Sequence, residues 1–260
     1  MNVETLATLA ALGGCGGFAA GLLGFGGGVV MFPLLFYVPP ALGLARLDAK
    51  TVAAIVVSQV FFSTLVGGTA HWRHGRVHRR ITLAGGLASA AGSFCGGIIS
   101  KWVSEWTLLF IFGVVILGVA TMMFLPAPSV ERELLPPGKV NVPTLPLAAI
   151  ACVTGVVVGL LGAGNFVFVP LLIYVFQVPT RIAIGSSLFI AMVNTLSGFL
   201  GKLLTGQISL LLSLIVISGA ALGALAGERT HGFFSPRALR YLYAGMVGII
   251  MVRVWISLLV

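Results

Sequence analysis

Charged side chains are scarce in this chain of 260 residues. Asp, Glu, Lys and Arg together make up 8% of the sequence, against about 25% in soluble domains. Hydrophobic residues make up 58%, and the mean hydropathy is +1.12. This composition excludes a soluble globular protein and predicts an integral membrane protein.

Acidic residues are the scarcest charged type, and none lies in the middle of a hydrophobic stretch. The six stand at segment ends or in loops: Glu4, Asp48, Glu105, Glu131, Glu133 and Glu228. A pump that moves metal ions, sodium or protons through buried carboxylates needs at least one at mid-membrane. The three cysteines lie singly in apolar segments and lack the spacing of metal ligands. The sequence therefore predicts no metal and no cofactor.

Basic residues outnumber acidic ones and give a formal net charge of +9. They are spread over the short loops between hydrophobic stretches, where Lys and Arg report membrane orientation. The lipid bilayer is the expected partner, and nucleic acid is not.

Hydrophobic stretches of about 20 residues, the length that crosses a bilayer, make up most of the sequence. We predict an all-α polytopic membrane protein with eight long transmembrane segments and two short, broken, half-membrane helices. The long segments lie near 3–23, 50–70, 81–100, 105–125, 144–162, 183–205, 208–227 and 238–258, and the short ones at 28–38 and 166–178.

The sequence also repeats itself. "GLLGFGGGVVMFPLL" begins at Gly21 and "GLLGAGNFVFVPLL" begins at Gly159, and the long segment from Ala49 aligns with the one from Ala183. We therefore divide the chain into a first membrane repeat (1–125), a proline-rich charged linker (126–143) and a second membrane repeat (144–260).

The loop charges favour inverted repeats. If the two short stretches do not cross the membrane, eight basic residues fall on one side and seven on the other. If they do cross, ten fall inside and five outside, which fits the positive-inside rule better. The five outside are then Arg46, Lys50, Lys101, Lys202 and Arg253.

Glycines in the repeated phrase predict a break in each hydrophobic segment, since each costs a helix up to about 1 kcal/mol relative to alanine. A helix that starts at a break directs unpaired N–H groups and its positive dipole end toward it, which suits an anion. Paired breaks in inverted halves are typical of a transporter's substrate site. The predicted backbone donors are Gly24, Gly26, Gly27, Gly28, Gly162 and Gly164. Glycines spaced four apart elsewhere are expected to pack helices.

Polar residues inside the segments are neutral or cationic, which also suits an anion. The predicted substrate ligands are Gln59, Asn165, Ser186, Ser187, Asn194 and Lys202. Two alternatives stay open: serines in membrane helices often bond to their own backbone, and Lys202 is able to snorkel to the surface.

These motifs resemble the TauE/SafE family, also called the 4-toluene sulfonate uptake permease family, over nearly the whole chain. The first phrase is a good match, and "AIGSSLFIA" (183–191) is similar to the family's second signature. The second phrase departs from the pattern, because Gly164 and Asn165 stand where the family has three glycines. We therefore expect two half-sites that are not equivalent, with Asn165 supplying a side-chain amide.

The resemblance implies a secondary transporter, not an enzyme, for sulfite or an organosulfonate such as sulfoacetate. It implies a location in the bacterial inner membrane and alternating access by one half rocking against the other. The oligomeric state stays open, with a homodimer as one option. The rival readings are a passive anion channel of the same fold, a membrane-embedded enzyme and a non-transporting subunit. An enzyme is disfavoured because the four histidines (His71, His74, His78 and His231) fall in expected loops.

Overall fold

The computed structural model is built from helices alone in the part of the chain that it describes. That part comprises residues 3–23, 27–73, 77–125 and 140–259, with the side chains of residues 3, 66–73 and 236 left out. Ten helices lie in these ranges. They are α1 (Val3–Leu23), α2 (Gly28–Ala41), α3 (Ala49–Arg73), α4 (Arg79–Ile99), α5 (Glu105–Met122), α6 (Thr144–Leu161), α7 (Asn165–Val175), α8 (Thr180–Leu204), α9 (Leu210–His231) and α10 (Pro236–Leu259).

Seven of the described helices are long and apolar enough to cross a membrane: α1, α4, α5, α6, α8, α9 and α10. The eighth predicted segment, 50–70, lies in α3, a helix of 25 residues whose described apolar part is Ala49–Leu65. Leu214, Leu222 and Ile249 stand well exposed on outer helices, as lipid-facing side chains do. The chain is a multi-pass membrane protein.

Two short helices occupy the positions predicted for broken segments. The first, α2, has 14 residues and is about 21 Å long at about 1.5 Å per residue, less than the roughly 30 Å hydrocarbon core. The second, α7, is irregular: it begins as a 3-10 turn and ends as the π-helical turn Leu171–Val175. Pro170 immediately precedes that turn and cannot supply a backbone N–H to a regular helix.

Two seams of small residues hold the long helices together. On each seam, a Cβ added to a glycine would overlap a backbone carbonyl of the facing helix. Between α1 and α9 the pairs are Gly13 with Val216, Gly17 with Ala220, and Gly21 with Ala224; between α4 and α6 they are Gly92 with Cys152 and Gly96 with Val156. The packing role expected for these glycines is confirmed. Because the numbers rise together along each seam, the two helices of each pair run in the same direction.

Side-chain contacts define the two ends of the bundle. At the first end, here the Lys101 end, Lys50 Nζ donates to the carbonyl of Lys101, 2.8 Å away. Arg46 pairs there with Glu105 at 2.6 Å, and this is the ion pair found within the described ranges. At the opposite end, the His78 end, the His78 backbone N–H donates to Ser186 Oγ at 3.0 Å. Helix α3 therefore starts at the Lys101 end, and α8 starts at the His78 end.

Candidate functional site

The two glycine-rich breaks meet inside the bundle. Gly28 is the first residue of α2, and a Cβ on it would lie 2.9 Å from the Cα of Ala163 and 3.2 Å from the carbonyl oxygen of Gly162. Both Ala163 and Gly162 belong to the connection between α6 and α7. The start of α2 thus lies directly on the second break, as the prediction of a shared site requires.

Backbone conformation explains why glycine is needed at two of these positions. Gly27 precedes α2 with φ of 75° and Gly162 follows α6 with φ of 69°, both in the left-handed region. There is also no room for a side chain, because a Cβ on Gly27 would overlap the carbonyl of Gly16 and one on Gly162 would overlap that of Ala53. Gly164 belongs to the same connection and lies against Val158 of α6. Gly24 and Gly26 lie outside the described residues.

A pair of buried amides stands at the second break. Asn194 Nδ2 on α8 donates to Asn165 Oδ1 at the start of α7, 2.7 Å away. Both side chains are almost fully buried, at 0% and 2% exposure. Asn165 Nδ2 and Asn194 Oδ1 have no hydrogen-bond partner among the described residues. Such buried polar atoms are costly when unsatisfied, so the pair offers one donor and one acceptor to a ligand.

At the first break, the two positions that correspond to this amide pair carry residues without a polar side chain. Counted back from the prolines Pro33 and Pro170, Gly28 corresponds to Asn165, and α2 and α7 begin at these two residues. In the alignment of Ala49 with Ala183, Val60 corresponds to Asn194. The Cγ2 atom of Val60 lies 3.2 Å from a Cβ built on Gly28. The corresponding contacts therefore differ in chemistry, with Gly28–Val60 in one half and Asn165–Asn194 in the other.

Three predicted ligands make their hydrogen bonds elsewhere. Gln59 Nε2 donates to Ser63 Oγ on the same helix, and Ser187 Oγ donates to its own backbone at Ile184. Ser186 Oγ accepts the backbone N–H of His78 at the His78 end. All three are buried. Of this group, Gln59 alone keeps a buried atom, Oε1, without a partner in the described structure.

Lys202 is fully buried and does not snorkel to the surface. Its Nζ donates to Ser100 Oγ at 2.7 Å and to the carbonyl of Leu160 at 3.2 Å. It follows Asn194 by eight residues on α8, a separation of about 12 Å along the helix axis. The structure thus brings Gly27, Gly28, Gly162, Gly164, Asn165 and Asn194 to the breaks, and it places Lys202 in a separate cluster nearer the Lys101 end.

Sequence reasoning misjudged His71 and His231, which lie in helices and not in loops, and missed several polar residues. His71 lies in α3 and His231 ends α9, where its Nδ1 lies 2.8 Å from the carbonyl of Leu22; His78 caps α4, and His74 lies outside the described residues. Ser93, Ser100, Gln207 and Tyr243 were not singled out. Their importance arises from contacts between helices, and no local motif marks them.

No metal-binding group of three or more His, Cys, Asp or Glu residues occurs in the described ranges. The chemistry on offer at the breaks is hydrogen bonding by amides and backbone N–H groups. This suits recognition of a ligand more than catalysis, which would require a clustered nucleophile and base.

Comparison with known proteins finds relatives that are named as membrane transporters. The chain is 31% identical over 263 residues to a "Probable membrane transporter protein" of Xylella fastidiosa (strain 9a5c), covering 98% of this chain and 95% of the relative. It is 25% identical to the "Probable membrane transporter protein YunE" of Bacillus subtilis (strain 168), covering 84% and 86%. No solved structure matches the chain.

The family model described as "Sulfite exporter TauE/SafE" matches residues 9–254, nearly the whole chain. The match confirms the resemblance expected from the two glycine-rich phrases, and with the relatives' names it indicates a transporter rather than an enzyme. The chain belongs to the TauE/SafE sulfite exporter family.

Proposed function

We propose that this protein transports a small sulfur-containing anion, sulfite or an organosulfonate such as sulfoacetate, across the bacterial inner membrane. The observation that carries the proposal is the buried Asn165–Asn194 pair at the meeting point of the two breaks. The family description and the relatives' names support the transporter class.

The site is suited to an oxyanion. Asn165 Nδ2 supplies a side-chain donor. In α2 the first backbone bonds are those that Val30 and Met31 donate to the carbonyl of Gly27, so the N–H groups of Gly28 and Val29 precede them and are available to a ligand. The helix dipole adds positive potential at the same place. Sulfite and sulfonate oxygens accept hydrogen bonds and carry negative charge, so the donors and the helix dipole both favour their binding.

We further propose that the two membrane repeats, 1–125 and 144–260, are inverted copies joined by the linker 126–143. Under this proposal α1 to α5 correspond in order to α6 to α10. Because α1 then corresponds to α6 and α9 corresponds to α4, the α1–α9 seam should have the α4–α6 seam as its counterpart. The helices run parallel in both seams. Opposite directions of α3 and α8, inferred from their contacts at the bundle ends, agree with inversion.

In this arrangement, each unit that moves during alternating access contains helices from both repeats. The close glycine seams tie α1 to α9 and α4 to α6, so the pairs move as units while the breaks between them change exposure. Loss of contact between Gly28 and Ala163 is the local change that would open the central site.

Proteoliposome flux tests this function. The purified full chain is reconstituted and offered radiolabelled sulfite, sulfoacetate, taurine and sulfate, with and without a pH gradient. We expect saturable uptake of at least one sulfur oxyanion and accelerated uptake when the lumen is preloaded with the same anion. Unsaturable flux without counterflow would indicate a passive channel, and no anion flux under any condition would overturn the proposal.

A further inference from the structure

The Lys202 cluster holds a buried basic side chain with no carboxylate partner among the described residues. Lys202 is 0% exposed, and its two hydrogen-bond partners are neutral oxygens, those of Ser100 and Leu160. No salt bridge to Lys202 occurs in the described residues. Transferring an ammonium group out of water without a counter-charge is strongly unfavourable. An ammonium group has three N–H donors, so one remains for a further acceptor.

The surroundings of this cluster are polar and basic. Ser100 Oγ lies within donating distance of Gln207 Oε1, at 2.7 Å, and of the Gly97 carbonyl, at 2.8 Å. Gln207 Nε2 donates to the Gly97 carbonyl at 2.9 Å and to Thr205 Oγ1 at 2.6 Å, so the donors of Ser100 and Gln207 are used within the cluster. Lys50 Nζ binds the carbonyl of Lys101, the residue after Ser100. Of the acidic residues at this end, Glu105 pairs with Arg46, Asp48 Oδ2 accepts the Thr51 backbone N–H, and Glu4 is exposed in the first turn of α1.

Exposure increases outward from Lys202, because the cluster ends at a half-buried side chain. Ser100 and Lys202 are fully buried, Gln207 is half-buried, and Lys101 beside them is exposed. A small anion that reaches Gln207 from the Lys101 end therefore meets Ser100 and Lys202 next.

A second polar contact lies between this cluster and the breaks. Ser93 Oγ on α4 is fully buried and has no hydrogen-bond partner in the described part of the chain. It faces Gly198, where an added Cβ would lie 2.5 Å from that oxygen. Gly198 stands midway between Asn194 and Lys202 on α8. Asn194, Gly198 and Lys202 are spaced four residues apart, which places them along one side of the helix.

We propose that the remaining N–H of Lys202, held in place by Ser100 and Gln207, forms a second anion subsite, separate from the Asn165–Asn194 site and occupied as the anion passes to or from the Lys101 end. The subsite rests on the proposed function, since it takes the same sulfur oxyanion. The anion supplies the negative charge that the protein withholds from Lys202, and Ser93 bridges the two subsites.

Binding stoichiometry tests the subsite. Equilibrium dialysis of the purified full chain in nanodiscs against radiolabelled sulfite, and separately sulfoacetate, should show two bound anions per chain. Lys202→Met should reduce this to one, and Ser100→Ala should weaken the second anion about fivefold, the order expected for one lost hydrogen bond. Lys101→Met is the matched control, because this exposed neighbouring lysine should leave both anions bound.

The outcomes separate the two proposals. One bound anion in both the wild type and Lys202→Met would overturn the second subsite and leave the transport proposal intact. One anion in the wild type and none in Lys202→Met would place Lys202 in a single shared site and also overturn it. No binding of either anion to any variant would contradict the proposed function itself. If Lys202→Met does not fold, Ser100→Ala and Gln207→Leu decide the matter by the same titration.

Discussion

At the residue scale, the site depends on two amides that satisfy only part of each other's hydrogen-bonding capacity. Asn165 and Asn194 share one bond, and one donor and one acceptor stay without a described partner. A buried polar atom in this condition lowers stability by about 1–3 kcal/mol. Retaining the unpartnered donor Asn165 Nδ2 is reasonable where an oxyanion ligand accepts its hydrogen bond.

Removing the amides should therefore weaken anion binding without unfolding the protein. We expect Asn165→Ala or Asn194→Ala to reduce sulfite affinity at least tenfold, as measured by equilibrium dialysis. The double variant should cost much less than the sum of the two, because the amides act as a unit. Ser58→Ala is the control, since this buried hydroxyl donates to its own helix at Ala54. Additive losses, or equal losses in the control, would contradict a paired role.

Gly28 gives a second prediction, which concerns packing at the breaks. A Cβ there lies 2.9 Å from the Ala163 backbone, so Gly28→Ala must separate the two breaks. We expect a lower unfolding midpoint and at least tenfold slower flux. Gly248→Ala in α10 has nothing within 4 Å of its Cβ, and alanine's helix propensity should leave it neutral or slightly stabilised. Comparable flux loss in both variants would argue against the contact.

The sequence alone predicted several residues of the site but not the contacts that some of them make. It identified the breaks, Asn165 and Asn194, because glycine and amides are conspicuous in apolar segments. It grouped Lys202, Ser186 and Ser187 with them, because all lie in spans and are polar. It had no means to show that Ser186 binds His78 or that Lys202 binds Ser100, since these contacts join residues about 100 positions apart.

At the element scale, contacts with neighbouring helices stabilise α7 more than its own backbone hydrogen bonds do. Its 3-10 start and π-helical end leave few regular backbone bonds. The buried Tyr243 hydroxyl of α10 donates to the carbonyl of Phe166 in the first turn. Phe166 also packs edge-on against Phe112 of α5, with ring centroids 5.9 Å apart. These contacts position Asn165, one residue before.

Tyr243→Phe should loosen this first turn. Losing one buried hydrogen bond costs about 1 kcal/mol, so amides at 165–168 should exchange hydrogen several times faster and sulfite should bind more weakly. Tyr241→Phe is the control, because that side chain is 77% exposed on the same helix. Unchanged exchange at 165–168 in Tyr243→Phe would show that α7 is fixed by apolar packing alone.

At the scale of the whole molecule, the arrangement of charges agrees with inverted repeats. Arg46, Lys50 and Lys101 come together at one end of the bundle, and Arg253 stacks over the ring of Tyr37, 4.5 Å from its centroid, in the last third of α2. These belong to the five basic residues assigned to the outside from loop charges. Arg46, Lys50 and Lys101 share one end in either topology, whereas Arg253 lies at that end only if the short helices cross the membrane.

Cysteine labelling tests the topology. In a background with Cys15, Cys95 and Cys152 replaced, Lys101→Cys should react with a membrane-impermeant maleimide in intact spheroplasts. Arg237→Cys, also exposed but at the His78 end, should react only after permeabilisation. Labelling of both positions from the same side would contradict inverted repeats with crossing short helices.

The glycine seams also bear on how the protein is made. Helix α1 finds its tightest partner in α9, which begins at Leu210, and α4 finds its own in α6. Synthesis proceeds from the N-terminus, so α1 enters the bilayer and waits there until most of the chain has been translated. Neither half closes its own seams. Assembly is therefore a late event that depends on the second half, and truncated chains are expected to be substrates for membrane proteases.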